Sequence, residues 1–433
     1  MINPKRPSGF NELLPADQLA FNAMVAIIKM SYEQYGYAPI ETPALELSQV
    51  LLAKEGGETA KQVYRFTKGD TDLSMRFDLT IPLARYAAEH YNDLAFPFRR
   101  YQIQEVWRAE KAQAGRYRQF YQCDIDTLGS KSPMADADTI LAMRSALHSL
   151  GLKDIIFKIS HRGLLTGLLE NKKLIKNTTA VLRAVDKLDK QGVTGVMNEL
   201  VDNDIPKQAA TDIIEFVKNS GTAKTIFSFL KTLNIHSEQF TQAVTELEMI
   251  DKLLHAAGMK ASEYVFDLSI ARGLDYYTGM VFETILTKYP KTGSICGGGR
   301  YDNLLASYRR DPIPGVGASI GLSRLFGALK DTIDNGPANP ANVIIHALGE
   351  DAQVYSLEIA NTLRKSGLNV LVYPGSAKID KRFAYNDKLG IPLAILCGGD
   401  EAAKRTVTIK NLKTGKQINV PLAKASATIK KVL

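Results

Sequence analysis

The stretch from Phe98 to Asp126 constrains the fold more than any other part of the sequence, because its pattern predicts two strands joined by a loop. Residues that alternate along a strand point to opposite faces of a sheet. In each predicted strand, this alternation places polar side chains together on one face. On that face the first strand carries Gln104, Val106, Arg108 and Glu110, and the second carries Phe120, Gln122, Asp124 and Asp126.

The loop predicted between these strands, from Lys111 to Gln119, contains Gly115 and three cations, Lys111, Arg116 and Arg118. A face with a guanidinium, a carboxamide and carboxylates, edged by a basic loop, suits a polar ligand with anionic groups. The same pattern also fits the solvated outer face of an antiparallel sheet. The stretch alone leaves both interpretations open.

Composition excludes several classes of protein. A chain of 433 residues with 45% hydrophobic and 23% charged residues is typical of a globular protein with two or three domains. Cys123, Cys296 and Cys397 form no CxxC pair, and the six histidines lack metal-ligand spacing, so we expect neither a disulfide framework nor a zinc site. No apolar run approaches the roughly 18 residues of a membrane span, and the first residues lack a secretory pattern. We therefore expect a cytoplasmic protein with no membrane partner.

The net charge of +8 is concentrated near the end of the chain, where residues 341–433 contain 14 Lys and Arg against 7 Asp and Glu. A basic domain beside a near-neutral one suggests a polyanionic partner such as nucleic acid. A basic domain that is merely soluble fits the charge equally well.

Changes of pattern along the chain predict its division into domains. Short amphipathic helices separated by Asn, Gly and Asp predict an inserted helical module at about 170–258. A segment rich in Asn, Gly and Pro predicts a linker at 334–341 between a domain at 1–333 and one at 342–433. Within 342–433, apolar strands alternate with helical stretches, which predicts a small α/β domain with a partly parallel sheet.

The segment from Met75 to Thr80 predicts a strand with two different faces. Met75, Phe77 and Leu79 would form one face, and Arg76, Asp78 and Thr80 the other. A carboxylate and a hydroxyl two residues apart on one face could hold an ammonium group.

Two glycine-rich stretches follow the helical module. In SICGGGRYDNLL, a triple glycine between a predicted strand and helix fits either a tight turn or a close approach of backbone to a ligand. GVGASIGLSRLFGAL predicts a strand entering a helix, with Arg324 near the helix start, where a cation opposes the macrodipole. An anionic ligand would offset that placement, but an arginine reaching to solvent fits it too.

A proline-punctuated segment containing Pro39 and Pro43 predicts an edge strand, because proline cannot donate to a central ladder. A second subunit or another part of the same chain could cover such an edge.

These features occur together in one order that resembles a known family. VWRAE followed by GRYRQFYQCDID resembles motif 2 of class II aminoacyl-tRNA synthetases, GASIGLSRL resembles their motif 3, and the segment around Pro43 is similar to motif 1. ARGLDYYTGMVFE and ICGGGRYDNL resemble the two signature peptides of the histidyl-tRNA synthetase family, and MRFDLT fits the same family. The likeness spans almost the whole chain.

The resemblance implies an α+β fold: an antiparallel-sheet class II catalytic core at 1–333 with a helical insertion, plus a C-terminal α/β anticodon-binding domain. It implies ATP-dependent ligation of L-histidine to tRNA(His) through a histidyl-adenylate, with Mg²⁺ accompanying ATP, no zinc, and a homodimer. A non-catalytic relative, the regulatory subunit of ATP phosphoribosyltransferase, is the alternative. Such relatives typically lose the basic tail and the catalytic arginines, which stand here.

The resemblance also implies a role for particular residues. The catalytic cations would be Arg272, Arg108 and Arg324. Histidine would be bound by Asp78, Leu79, Thr80, Arg108, Gln122, Asp126, Arg272, Tyr276 and Tyr277. Of these, the α-amino group would contact Asp78, Thr80 and Gln122, and the imidazole would contact Asp126, Tyr276 and Tyr277. ATP would be bound by Arg108 at the α-phosphate, Glu110, Phe120 stacked on adenine, and Arg324 at the γ-phosphate. The tRNA acceptor stem would contact Lys111 and Gln113. No protein side chain is expected to ligate a metal.

Overall fold

A computed structural model describes residues 1–52, 58–113, 115–270, 276–310, 312–330 and 336–433, with only the backbone at 58 and 59. The chain divides into two compact units. One comprises Met1–Asn11 and Val25–Lys330, and the other comprises Glu12–Met24 and the chain after Lys330.

Up to residue 330 the described chain alternates strands and helices. Its strands in chain order are β1 (Ala38–Pro39), β2 (Leu45–Leu47), β3 (Arg65–Lys68), β4 (Thr71–Met75), β5 (Phe98–Trp107), β6 (Gln119–Leu128), β7 (Ile155–His161), β8 (Ser220–Gly221), β9 (Tyr264–Asp267), β10 (Met280–Leu286), β11 (Ser294–Tyr301) and β12 (Gly315–Gly321). Its helices are α1 (Pro15–Gln34), α2 (Ser48–Leu51), α3 (Glu58–Gln62), α4 (Thr80–Glu89), α5 (Pro133–Ser149), α6 (Arg162–Asn171), α7 (Thr178–Val185), α8 (Leu188–Asp202), α9 (Lys207–Val217), α10 (Ala223–Thr232), α11 (Glu238–Ala256) and α12 (Leu322–Leu329).

Nine of the described strands form one sheet in the order β1-β5-β6-β12-β11-β10-β7-β9-β8. Its inner pairs are antiparallel, whereas the β1–β5 and β7–β9 pairs are parallel. The short strand β1 lies at one edge, as its proline predicts. This antiparallel-rich sheet with helices confirms the predicted α+β class.

The predicted hairpin is confirmed as β5 and β6, which pair from Phe98 opposite Leu128 to Trp107 opposite Gln119. On the back of β6, Cys123 and Ile125 are fully buried, and the Tyr32 hydroxyl donates to the Cys123 carbonyl over 2.9 Å. The polar residues of β6 therefore share the other face. Arg108 and Glu110 lie beyond the end of β5, so their predicted place on the strand itself is wrong.

The prediction of a strand from Met75 to Thr80 is also wrong, because β4 ends at Met75 and α4 begins at Thr80. The reason is the Asp78 side chain, whose Oδ1 accepts from the backbone N–H groups of Thr80 (3.2 Å) and Ile81 (3.0 Å). This bond satisfies donors that the first helical turn leaves unpaired. Arg76 does not share a face with Asp78; its guanidinium donates to the carbonyls of Thr42 and Glu105.

The triple glycine lies inside β11 rather than in a turn, so the interpretation as a tight turn is wrong. β11 pairs with β10 on one side and β12 on the other, and a side chain would not fit between them. A Cβ at Gly298 would lie 2.2 Å from the Gly317 carbonyl oxygen, and a Cβ at Gly317 would lie 1.9 Å from Asp126 Oδ1. Glycine here makes room for neighbouring groups.

The residues of the predicted helical module, at about 170–258, contain a short 3-10 helix at Ile175–Asn177, helices α7 to α11 and the two-residue strand β8. At Gly192 (φ 66°), in the segment GVTG, the backbone leaves helical geometry and divides α8 into two helical segments, which fits the predicted glycine-containing break. None of the described helices is both long and apolar enough to cross a membrane.

Strands β2, β4 and β3 form a small separate sheet, and the unit that contains the chain after Lys330 carries a five-stranded sheet of its own. Its strands are β13 (Val343–Ala347), β14 (Val370–Val372), β15 (Leu393–Cys397), β16 (Thr406–Asn411) and β17 (Gln417–Pro421). Its helices are α13 (Ala352–Lys365), α14 (Ile379–Leu389), α15 (Gly399–Lys404) and α16 (Leu422–Val432). The strand order is β14-β13-β15-β16-β17, with β13 parallel to both neighbours and the last two pairs antiparallel. This confirms the predicted partly parallel α/β sheet.

Candidate functional site

A cavity of about 330 Å³ opens over β6, β11 and β12 and is bordered by the start of α4 and the loop after β5. It brings together most of the residues selected from the sequence, although they lie far apart along the chain. The predicted site residues that line it are Asp78, Thr80, Arg108, Glu110, Phe120, Gln122, Asp126, Tyr276, Tyr277 and Arg324.

One end of the cavity is acidic because strand alternation and a helix start present carboxylates to it. Asp78 is 2% exposed and uses Oδ1 to cap α4, while burial raises its pKa. The Gln122 amide donates to the Ser319 hydroxyl over 3.0 Å. Among the described residues, neither Asp78 Oδ2 nor Gln122 Oε1 has a hydrogen-bond partner. These oxygens can therefore accept from a ligand.

Asp126, at the same end, is held by two groups that the sequence analysis missed. Arg100 on β5 is fully buried, and its Nη2 lies 2.5 Å from Asp126 Oδ2. The Tyr301 hydroxyl donates to Oδ1. Burial raises the pKa of Asp126 to about 6, although Arg100 opposes that shift. The register of β5 and β6 places Arg100 opposite Asp126, so the paired hairpin could have predicted the Arg100 contact from the sequence.

Tyr276 and Tyr277 form the aromatic wall of this end. Their ring centroids are 4.9 Å apart, and Tyr276 also meets Tyr301 edge-on at 5.7 Å. Burial raises the pKa of both hydroxyls well above its usual range, so they stay protonated and can donate. A wall with donors beside a buried carboxylate suits a planar ring that carries nitrogen atoms.

Asp124 lies between Gln122 and Asp126 on β6 and is a third carboxyl group in the cavity, 3% exposed. Strand alternation predicts its place on this face, but the sequence alone suggested no role for it. Burial raises its pKa to about 7, Arg100 lowers it, and Asp126 raises it further. The Ser319 hydroxyl hydrogen-bonds this carboxyl group.

The opposite end of the cavity is cationic. The Arg108 guanidinium lies 4.3 Å from the Phe77 ring and 5.2 Å from the Phe120 ring, and its Nε donates to the Phe77 carbonyl over 3.1 Å. Arg324 donates to the carbonyls of Gly115 (3.1 Å) and Ser294 (3.0 Å). Burial, followed by nearby Arg116 and Arg108, lowers the pKa of Arg324. Crowded guanidiniums of this kind favour an anionic ligand.

Four predicted residues are not found in the cavity lining. Arg272 lies outside the described residues. Leu79 is fully buried, and its carbonyl accepts from Arg100 over 3.2 Å. Lys111 and Gln113 line a separate surface depression together with Glu110 and other residues. Chemically, the cavity combines a carboxylate end, an aromatic wall and a guanidinium end, which suits a zwitterion placed next to a polyphosphate.

The described residues contain no group of three or more His, Cys, Asp or Glu side chains that could hold a metal ion.

Comparison with known proteins gives a consistent result. Residues 9–325 match the family model described as histidyl-tRNA synthetase, and residues 342–432 match the anticodon binding domain. The chain is 44% identical to the histidine–tRNA ligase of Clostridium tetani, with 99% of each sequence covered. It is 42% identical to that of Stenotrophomonas maltophilia, with 97% of this chain and 96% of the relative covered.

Solved structures agree with the sequence comparisons. The crystal structure of histidyl-tRNA synthetase from Nostoc sp. PCC 7120 superposes with a TM-score of 0.88 at 35% identity, with both chains fully covered. A structure from Bacillus halodurans described as an ATP phosphoribosyltransferase regulatory subunit/histidyl-tRNA synthetase gives a TM-score of 0.77 at 22% identity over 92% of this chain and 99% of that chain. At that identity, the second likeness shows the fold alone.

Proposed function

Because this chain belongs to the histidyl-tRNA synthetase family, we propose that it ligates L-histidine to tRNA(His), using ATP and releasing AMP and pyrophosphate. The observation that carries the proposal is the cavity with a carboxylate end and a guanidinium end. A carboxylate end next to buried tyrosines fits an amino acid with an imidazole. A guanidinium end beside an aromatic ring fits a nucleotide.

At the acidic end, we assign the histidine α-ammonium to Asp78 and Gln122, with Thr80 beside them. The imidazole would lie between Asp126 and the Tyr276–Tyr277 wall. A pocket that hydrogen-bonds both ring nitrogens rejects analogues without them by roughly 10⁴–10⁵, because its buried polar groups would be left unpaired. This selectivity leaves little need for editing, so we propose that the helical insertion at about 170–258 does not hydrolyse mischarged tRNA.

At the cationic end, Phe120 would stack on adenine, Glu110 would help to position the nucleotide, and Arg324 would bind the γ-phosphate. Arg108 would bind the α-phosphate, next to the histidine carboxylate. From the family likeness, Arg272 would add a third cation near the reacting atoms. Mg²⁺ would arrive with ATP and neutralise phosphate charge.

The proposed reaction begins when the histidine carboxylate attacks the α-phosphate, which forms histidyl-adenylate and expels pyrophosphate. Two anions approach each other in this step, and charge grows on the phosphoryl oxygens. Preorganised guanidiniums stabilise that charge, and no covalent protein intermediate is needed. A hydroxyl group of the tRNA then attacks the activated carbonyl and releases AMP.

The basic residues 342–433 would bind the anticodon, with 334–341 as the linker after the catalytic domain. Their excess of seven positive charges supports an RNA partner. Lys111 and Gln113, on the depression beside the cavity, would contact the acceptor stem. We further propose a cytoplasmic homodimer, whose mass sedimentation equilibrium can measure; an active monomer would contradict it.

A non-catalytic regulatory subunit is disfavoured because Arg108 and Arg324 both reach the cavity and the relatives with high identity are ligases. The deciding experiment is ATP–pyrophosphate exchange measured with each of the twenty amino acids in turn. We expect exchange with histidine alone. Exchange without selectivity, or no exchange with histidine, would contradict the proposed function.

A further inference from the structure

Three oxygen atoms in the acidic end of the cavity have neither a hydrogen bond nor an ion pair among the residues that the structure describes; a fourth, Asp126 Oδ2, makes no hydrogen bond there but is ion-paired with Arg100. The three are Asp78 Oδ2, Gln122 Oε1 and Asp124 Oδ1. Buried acceptors are normally satisfied, so three of them around one cavity indicate a ligand with donors. An ammonium group carries three N–H donors and no acceptor.

We infer that Asp124 binds the α-ammonium group of the amino-acid substrate, together with Asp78 and Gln122. This inference rests on the proposed function and adds a residue to its substrate site. Thr80, the third group that the family likeness suggests, has its hydroxyl hydrogen-bonded to Tyr276. Asp124 adds a buried carboxylate oxygen to the oxygens of Asp78 and Gln122, which gives one acceptor for each of the three N–H groups.

Asp78 and Asp124 each have one oxygen without a partner among the described residues, whereas Asp126 is already held on both sides. Asp126 Oδ1 accepts from the Tyr301 hydroxyl, and its Oδ2, which makes no hydrogen bond among the described residues, is ion-paired with the buried Arg100 at 2.5 Å. Asp78 spends Oδ1 on the start of α4. Asp124 is 3% exposed, and its Oδ1 has no partner among the described residues. Leaving a buried carboxylate oxygen unpaired is costly, and a substrate ammonium would remove that cost.

The charge around Asp124 makes its ionisation depend on the substrate. The groups that face it or interact with it electrostatically are Asp78, Arg100, Asp126, Tyr277, Ser319 and Cys296, and on the other side Cys123, Tyr32 and Arg76. Burial and the nearby carboxylates raise the pKa of Asp124 to about 7, against the effect of Arg100. In the empty site near neutral pH, a large fraction of this group is thus protonated.

An incoming ammonium favours the charged form of Asp124, so its proton passes to the buffer when the substrate binds. Because the pKa of Asp124 is raised, its carboxyl group must lose a proton when the substrate ammonium binds. The affinity for histidine therefore increases as pH rises through about 7. Near pH 7 we therefore expect a net release of protons from this group when the substrate binds.

The experiment compares two ligands and two proteins, with Asp124→Asn as the variant. L-Histidine carries the ammonium, whereas 3-(imidazol-4-yl)propionate has the same ring and carboxylate without it. Dissociation constants are measured by calorimetry at pH 7 in phosphate and in Tris, whose different ionisation enthalpies report proton release. We expect the variant to bind histidine roughly 10- to 100-fold more weakly and imidazolylpropionate within about twofold of the wild type. The variant should also release fewer protons than the wild type when it binds histidine.

Glu105→Gln is the matched control, because it makes the same carboxyl-to-amide change on the same hairpin. Glu105 accepts from Gln119 over 2.8 Å and does not line the cavity. We expect it to bind both ligands like the wild type. If Asp124→Asn does not fold, Asp124→Ser takes its place in the same measurements.

An equal loss for the two ligands would place Asp124 at the ring and overturn the inference. Unchanged histidine affinity or unchanged proton release would overturn it as well. The proposed function fails separately: wild-type protein that shows no histidine-dependent pyrophosphate exchange would refute the function. Normal exchange together with unaltered binding by the variant would refute the role of Asp124 only.

Discussion

Replacing Gly317 by alanine tests whether β12 needs glycine at this position so that the Asp126 carboxylate fits beside it. The added Cβ would lie 1.9 Å from Asp126 Oδ1 and 2.5 Å from its Cγ, whereas real Cβ contacts below 3.0 Å are essentially never found. The carboxyl group must therefore move by about 1 Å or more. That movement breaks the geometry in which Arg100 and Tyr301 hold it.

The expected effect is selective for the amino acid. A hydrogen bond to a charged group contributes about 1.5–3 kcal/mol, so displacing Asp126 should raise the KM for histidine roughly 10- to 150-fold. The KM for ATP should change by less than about threefold, because the nucleotide end has no contact with this group. Overpacking should also lower the free energy of unfolding by about 1–3 kcal/mol. Pyrophosphate exchange at varied histidine and ATP, with urea unfolding, measures all three quantities.

Gly321→Ala is the control on the same strand. Its added Cβ has no neighbour closer than 3.9 Å, so it tests the effect of alanine in β12 without the collision. We expect its histidine KM and stability to stay near those of the wild type. A Gly317→Ala enzyme with unchanged histidine KM, or one whose ATP KM rises as much as its histidine KM, would refute the reasoning.

Three other predictions concern groups away from Gly317. Arg272→Ala should reduce histidine-dependent exchange by at least about 10²-fold with an unchanged circular dichroism spectrum, and near-normal exchange would contradict its role. Removing residues 334–433 should reduce tRNA charging far more than adenylate formation, and equal losses in the two assays would count against the proposed division of labour. His346 is fully buried and neither ring nitrogen has a partner among the described residues; burial, then Arg382, lowers its pKa to about 4. The imidazole of His346 takes up a proton below about pH 6.5 in the unfolded chain but only near pH 4 in the folded protein, so the free energy of unfolding falls as pH drops between these values. His346→Leu removes this effect. The substitution should therefore raise the unfolding free energy by roughly 2 kcal/mol more at pH 5 than at pH 7.5, measured with urea.

Strand alternation predicted the cavity floor well, because Phe120, Gln122, Asp124 and Asp126 share one face of β6. Alternation is a local property of an extended chain, so the sequence contains it directly. It misled at Asp78, where a two-residue spacing looked like a strand face. Only the helix start, with its unpaired N–H groups, explains why that carboxylate lies at the beginning of α4 and not on β4, which ends at Met75.

The contacts that hold the site together were harder to predict, because they depend on which strands become neighbours. Arg100 meets Asp126 through the pairing of β5 with β6, and Tyr301 reaches it from β11, two strands away in the sheet. The triple glycine of β11 was interpreted as a possible turn for the same reason, because the sequence does not show which strands lie beside it. Its fit against Gly317 is visible only when β11 and β12 lie side by side.

The most direct test of the account is a crystal structure of the protein with L-histidine and a non-hydrolysable ATP analogue. We predict the α-ammonium against Asp78 and Gln122, the imidazole beside Asp126, and the α-phosphate within hydrogen-bond distance of Arg108. Density for either ligand outside this cavity, or histidine bound with its ring at the guanidinium end, would contradict it.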